Sequence, residues 1–151
     1  MIENSAAAAD RYRCDSRDAG PTWLLNQTAS HATRLLTEGF AAHDLRGYHY
    51  RLLATLAEDG PASQADLGRR CGIDRSDVVA AINDLAGRGL VVRAPDPADR
   101  RRNVISSTEA GVTEARRLGD TLDRVQHDLL APLSTTEREQ LTRLLEHHRR
   151  P

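Results

Sequence analysis

Three consecutive arginines, Arg100-Arg101-Arg102, follow a run of turn-forming residues, Pro95-Asp96-Pro97-Ala98-Asp99. Guanidinium groups on a narrow projection suit a polyanion. They can enter the minor groove of a duplex, where the potential is most negative, and hold phosphates on either side. The plainer reading is a solubilising loop charge. In this arrangement Asp99 pairs with a nearby arginine and Asp96 makes a turn hydrogen bond, so both shape the projection. Upstream, Ser76, Ala80 and Asn83 share one side of a helical segment, with Asp77 and Asp84 beside them. Laid in a major groove, a serine hydroxyl can donate or accept, an alanine methyl can touch a thymine methyl, and an asparagine can pair with adenine. Arg75 stands where a helix start favours a phosphate. Ser63 and Gln64, at the start of the preceding segment, are counted with these as DNA-binding positions. A solvated helix face is the alternative.

No catalytic set competes with this. There is no Gly-rich phosphate loop, and Glu146-His147-His148 sits in a polar tail, so neither an enzyme nor a metal or other cofactor is expected. Cys14 and Cys71 are too few and too far apart for a disulfide framework or a metal site.

With 39% hydrophobic and 28% charged residues the chain is an ordinary globular composition, but aromatics make up only 3%. A core of Leu, Val, Ile and Ala favours helix packing over a β-sandwich. The net charge is −1, yet residues 61–108 hold eight Arg against six Asp and no Glu, a local excess of two positive charges. Every basic residue is Arg. No apolar run reaches the ~20 residues of a membrane span, and Met1-Ile2-Glu3-Asn4-Ser5 lacks a secretory pattern, so a cytoplasmic location is expected.

The elements that would position these groups follow from periodicity and punctuation. Residues 1–21 read as a mobile arm ending at Pro21, and residues 22–148 as a single domain. Thr22 is placed as the N-cap of a helix over about 22–40, with Leu25, Ala29, Ala32 and Leu36 on one face, ended by Gly39 and the polar stretch near His43-Asp44. A helix over about 47–58 turns Leu52, Leu53 and Leu56 inward and stops at Asp59-Gly60-Pro61. Ser63 with Asp66 forms a capping box for a short helix to Cys71. Asp74 caps the next, whose stripe is Val78, Ile82 and Leu85. Two short helices joined around Cys71-Gly72-Ile73-Asp74 are a helix-turn-helix. Leu90-Val91-Val92 and Val104-Ile105 then form a hairpin, a wing. A helix over about 109–131 carries Ala115, Leu118, Leu122, Val125 and Leu129 as a seam of two heptads, and Ser134 caps a last helix over about 135–148. The expected fold is mainly α with a small β-hairpin wing: a winged helix-turn-helix lobe (about 47–108) on a stem built from the helices 22–40, 109–131 and 135–148. Because the seam is too long for one small lobe to cover, a homodimer is expected to bury it.

Leu90-Val91-Val92-Arg93, Asp96-Pro97-Ala98-Asp99-Arg100-Arg101-Arg102-Asn103-Val104 and Thr108-Glu109-Ala110-Gly111 together resemble the wing signature of the MarR family of repressors. Asp74-Arg75-Ser76, Leu85 and Arg88-Gly89-Leu90-Val91 are similar to that family's recognition helix and its exit. The resemblance implies an obligate dimer on double-stranded DNA, a palindromic operator, and relief of repression by a small anionic or phenolic ligand or by an oxidant. It places a ligand cleft near Trp23, His31, His43, Tyr48, His49 and Tyr50, with Arg51 as an anion partner. Cys14, near Tyr12, is the corresponding oxidant-sensing candidate. One departure stands out: family members often carry a hydroxyl residue at the position of Asp77 and a basic one at those of Ala80 or Asp84. Asp77 is then open to three readings: half of a cap with Asp74, an acceptor for cytosine N4, or a source of weak binding. A winged-helix module that docks a protein instead of DNA is the alternative function.

Overall fold

The computed structural model describes residues 20–100 and 103–149; Cys14, Arg101 and Arg102 lie outside the described residues. The chain divides into two compact units, one ending at Leu35 and the other beginning at Leu36. Helix α1 (Pro21–Ala41) runs across that boundary. Within the first unit no residue from 21 to 35 is buried, and Trp23, Leu24 and Leu25 are half exposed. Pro21 opens α1, which suits a residue with a fixed φ and no N–H, so Thr22 lies inside the helix and is not its N-cap.

The second unit holds the core. Helix α2 (Gly47–Asp59) buries His49, Leu52, Leu53 and Leu56, an i, i+3, i+4, i+7 stripe. Helix α4 (Arg75–Gly87) buries Val78, Ala81, Ile82 and Leu85 at the same spacing, and the short α3 (Gln64–Cys71) between them contributes Leu67 and Cys71. Ser63 caps α3: its hydroxyl accepts from the Asp66 amide at 3.2 Å. Gly72, with φ of 63°, closes α3 in the left-handed region that a side chain avoids.

A three-stranded antiparallel sheet in the order β1-β3-β2 completes the lobe. Strand β1 is only Ala62–Ser63, an element the periodicity did not reveal; β2 (Val91–Pro95) and β3 (Asn103–Ser107) are the wing. Val91 pairs with Ser107, Arg93 with Ile105 and Pro95 with Asn103. Val91 and Ile105 point into the core. Leu90 precedes β2 instead of starting it.

Helix α5 (Glu109–Leu129) begins at Thr108, whose hydroxyl accepts from the Gly111 amide at 3.0 Å and donates to the Gly89 carbonyl at 2.7 Å. One side chain therefore ties the helix start to the foot of the wing. Gly111 is required there: a Cβ would run into the Leu90 carbonyl oxygen and lie 2.6 Å from Ser107 Oγ. Helix α6 (Thr135–Arg149) is capped by Ser134, whose amide and hydroxyl both donate to Glu137 Oε2, at 2.8 and 2.7 Å.

Two expectations need correction. Gly39 does not end α1; the helix continues to Ala41, and the glycine is there because a Cβ would lie 2.9 Å from Val125 Cγ2 on α5. Ala115 and Leu118 are not open to a partner chain either. Both are buried in the chain's own core, and Leu122 packs against it, because α5 lies along α2. Leu122, Val125 and Leu129, further along the seam, stay partly exposed.

Candidate nucleic-acid interface

The buried stripe of α4 forces its other residues outward, and Ser76, Asp77, Val79, Ala80 and Asn83 are all exposed. This is the face the sequence spacing pointed to. Asp74 occupies the N-cap position in extended geometry but makes no side-chain capping bond. The reading of Asp77 as half of a cap with Asp74 therefore fails. Asp77 stands as an exposed carboxylate in the first turn, favoured by the helix dipole.

Asp84 does not belong to that face. It turns back toward the lobe, accepting from Arg88 Nε at 3.1 Å and lying 3.2 Å from His49 Nε2. Arg88 also donates to Asp44 Oδ2 at 3.0 Å. The Asp84 carboxylate is thus paired within the chain. Burial holds His49 below the usual histidine range against the pull of Asp84, with Arg88 and Arg46 pushing the same way as burial and Asp44 opposing. His49 Nδ1 accepts from the Arg46 amide at 3.0 Å, which satisfies a donor at the start of α2.

Beside the outward face of α4 lies a hollow lined by Gln64, Ala65, Gly68, Arg69, Ile73 and Arg75. It brings the start of α3 to the start of α4, so the Gln64 amide and two guanidinium groups meet around one depression. Gln64 and Arg75 were expected there; Arg69, which also pairs with Asp66 at 2.6 Å, was not. Gly68 keeps the two helices close, since a Cβ would lie 3.2 Å from the Ile73 carbonyl oxygen. Ser63 is a correction. Its only O–H donates to Asp66 Oδ2 at 2.7 Å, leaving none for a phosphate, and that bond is the main reason the Asp66 carboxyl is held below the usual range.

The wing's first strand packs against α4. Asp96 Oδ1 accepts from the Ala98 amide at 2.8 Å, the turn bond expected of it, and Arg100 is exposed at the tip next to exposed Asp99. Between wing and helix, Arg93 Nη2 donates to Asn83 Oδ1 at 2.6 Å. Residue spacing does not point to this pair, because the two residues meet only once β2 folds back along α4.

Within the second unit the ligand candidates do not share one point. Tyr48 lies on the His49 ring (4.4 Å between centroids) with Arg46 5.9 Å from its centroid, whereas Tyr50 packs on Phe40 (6.1 Å). Arg51 is exposed. Trp23 and His31 belong to the first unit, where His31 Nδ1 lies 3.0 Å from Arg34 Nη2. His43 is a structural link, 2.7 Å from Glu114 and 3.3 Å from Thr121 on α5. Cys71 is buried, 3.4 Å from Thr55 Oγ1, as expected of a small packed thiol.

The family model described as MarR family matches residues 43–102, which run from the loop before α2 to the wing. The uncharacterized HTH-type transcriptional regulator YcgE of Bacillus subtilis is 30% identical over 118 residues, covering 78% of this chain and 70% of that protein. The chain belongs to the MarR family. A putative transcriptional regulatory protein for the hcr operon of Thauera aromatica is 36% identical to this MarR-family chain over 96 residues, 64% of the chain; the match spans only 58% of that protein's length. Among solved structures, the PcaV transcriptional regulator from Streptomyces coelicolor, in complex with its natural ligand, superposes with a TM-score of 0.74 at 27% identity, covering 84% of this chain and 89% of that one. No helix among the described residues is long and apolar enough to cross a membrane.

Proposed function

We propose that this MarR-family chain is a sequence-specific DNA-binding transcriptional regulator. It acts as a homodimeric repressor on a palindromic operator, in the cytoplasm, and carries out no catalysis. The observation that carries the reading is the exposed α4 face with cationic groups on the elements next to it: Arg69 and Arg75 around the hollow, Arg100 on the wing. A helix seated in a major groove would place those two sites against the backbones that border the groove.

Dimerisation is supported by what the single chain leaves uncovered. Helix α6 has no buried residue among those described, and Leu144 and Leu145 are exposed. Trp23, Leu24 and Leu25 on α1 are exposed too. Apolar surface of this kind is covered by a second copy, and two recognition helices on one stem span half-sites about one helical turn apart. By analogy with the ligand-bound PcaV structure, a small anionic or phenolic compound relieves binding, with Tyr48 and Arg51 as its nearest candidates on α2.

A gel shift with the duplex upstream of the chain's own gene tests the proposal. Replacing Arg100 and Arg101 together by alanine should weaken binding at least tenfold. Unchanged affinity for every duplex refutes it.

A further inference from the structure

We infer that Arg93 determines specificity by orienting Asn83, so that this part of α4 presents chiefly hydrogen-bond donors and reads guanine in preference to adenine. The inference rests on the DNA-binding reading above. An arginine has no acceptor, so the Asn83 carboxamide must turn its oxygen, not its nitrogen, toward Arg93. The 2.6 Å contact between Arg93 Nη2 and Asn83 Oδ1 fixes that choice. The strand holding Arg93 is itself fixed, since Arg93 sits opposite Ile105 in the β2–β3 ladder and Ile105 is buried. Among the described residues Arg93 makes no ion pair that would draw it elsewhere.

What Asn83 keeps free on the exposed face shared with Ser76 and Ala80 is the Nδ2 group, with two N–H donors; the second lone pair of its oxygen lies beside a guanidinium whose own N–H groups repel a further donor. Adenine shows one acceptor and one donor in the major groove, and an asparagine reads it only by using its oxygen and its nitrogen together. Guanine shows two acceptors, N7 and O6. Pairing with adenine would bring its N6 amino donor against an oxygen already held by a guanidinium, donor beside donor, and weaken a charge-assisted bond. The unused N–H groups of Arg93 add further donors at the same place. The adenine contact that the sequence suggests for Asn83 is therefore replaced by a guanine contact.

Selection from a pool of randomised duplexes, with the full-length chain and sequencing of the bound fraction, tests this. The wild-type motif should contain a guanine column in each half-site that Asn83→Ala flattens by roughly tenfold. Arg93→Met releases the amide and should move that one column toward adenine while the other columns persist; Arg93→Lys, which keeps a donor, should retain guanine. Arg93 is exposed, and unchanged melting temperatures will show that the variants fold. If Arg93→Met weakens binding uniformly with the column intact, or Asn83→Ala leaves every column in place, the inference is wrong although the chain still reads DNA. If the wild-type chain enriches no sequence, the DNA-binding reading beneath it fails as well.

Discussion

Acidification from about pH 7.5 to about 5.5 should loosen this fold through one buried imidazole. His49 is only 4% exposed. Its Nδ1 accepts from the Arg46 amide at 3.0 Å, and its Nε2 lies 3.2 Å from an Asp84 carboxylate oxygen. The neutral tautomer with its proton on Nε2 satisfies both partners. A second proton, on Nδ1, would face the Arg46 N–H, donor against donor, and would be buried besides. Desolvation is the largest cause of the lowered pKa, and Asp84 only partly offsets it. Because the folded pKa lies below the ordinary histidine value of 6.5, the unfolded chain takes up the proton first as pH falls. The stabilisation is therefore present above about pH 6.5 and is lost below it, until the folded-state pKa is reached. If His49 stays neutral in the fold throughout, the loss between pH 7.5 and 5.5 is at most about 1.4 kcal/mol. Urea unfolding of the wild type and of His49→Gln at both pH values isolates it, since the carboxylates contribute equally to both proteins. The wild type should lose up to about 1.4 kcal/mol more than the variant. Equal losses, or a wild type that gains stability on acidification, would show that the ion pair with Asp84 outweighs burial and refute the reasoning.

Other perturbations follow from the packing. Gly111→Ala drives a methyl into the Leu90 carbonyl, which the Thr108 amide holds at 3.1 Å and which cannot retreat. The cost should be about 3 kcal/mol, read calorimetrically as a melting temperature lower by roughly 6–12 °C. Leu118→Ala, at a fully buried site between α5 and α2, should cost about 2–5 kcal/mol. By contrast, Leu144→Ser with Leu145→Ser should leave the helical circular dichroism unchanged and shift sedimentation from dimer to monomer; a dimer that survives would move the interface off α6.

Most of the lobe was legible because its signals are local. Asp59-Gly60-Pro61, the Ser63–Asp66 box, Gly72 and the apolar stripes of α2 and α4 each act within a turn or two, and the wing's turn residues bracket its two strands. The misreadings concern residues whose role is set from a distance. Gly39 reads as a helix stop until Val125 is seen against it. Ala115 and Leu118 have a coiled-coil spacing, but spacing cannot say whether α2 or another chain fills the seam. The same holds in the site. Ser76, Ala80 and Arg100 followed from periodicity and turn chemistry, whereas the hold of Arg93 on Asn83 and the turn of Asp84 toward His49 arise between elements that meet only in the folded chain. Two neighbouring carboxylates on one helix looked equivalent, yet only Asp77 stays on the outward face.

The salt dependence of binding tests the central claim most directly. With a cationic hollow and a wing on each of two copies, roughly four phosphates are held, so the logarithm of the association constant for the upstream duplex should fall against the logarithm of salt concentration with a slope of about −4 or steeper. A slope near zero would mean that the arginines around α4 do not grip a nucleic-acid backbone, and the lobe would then be a surface for docking protein.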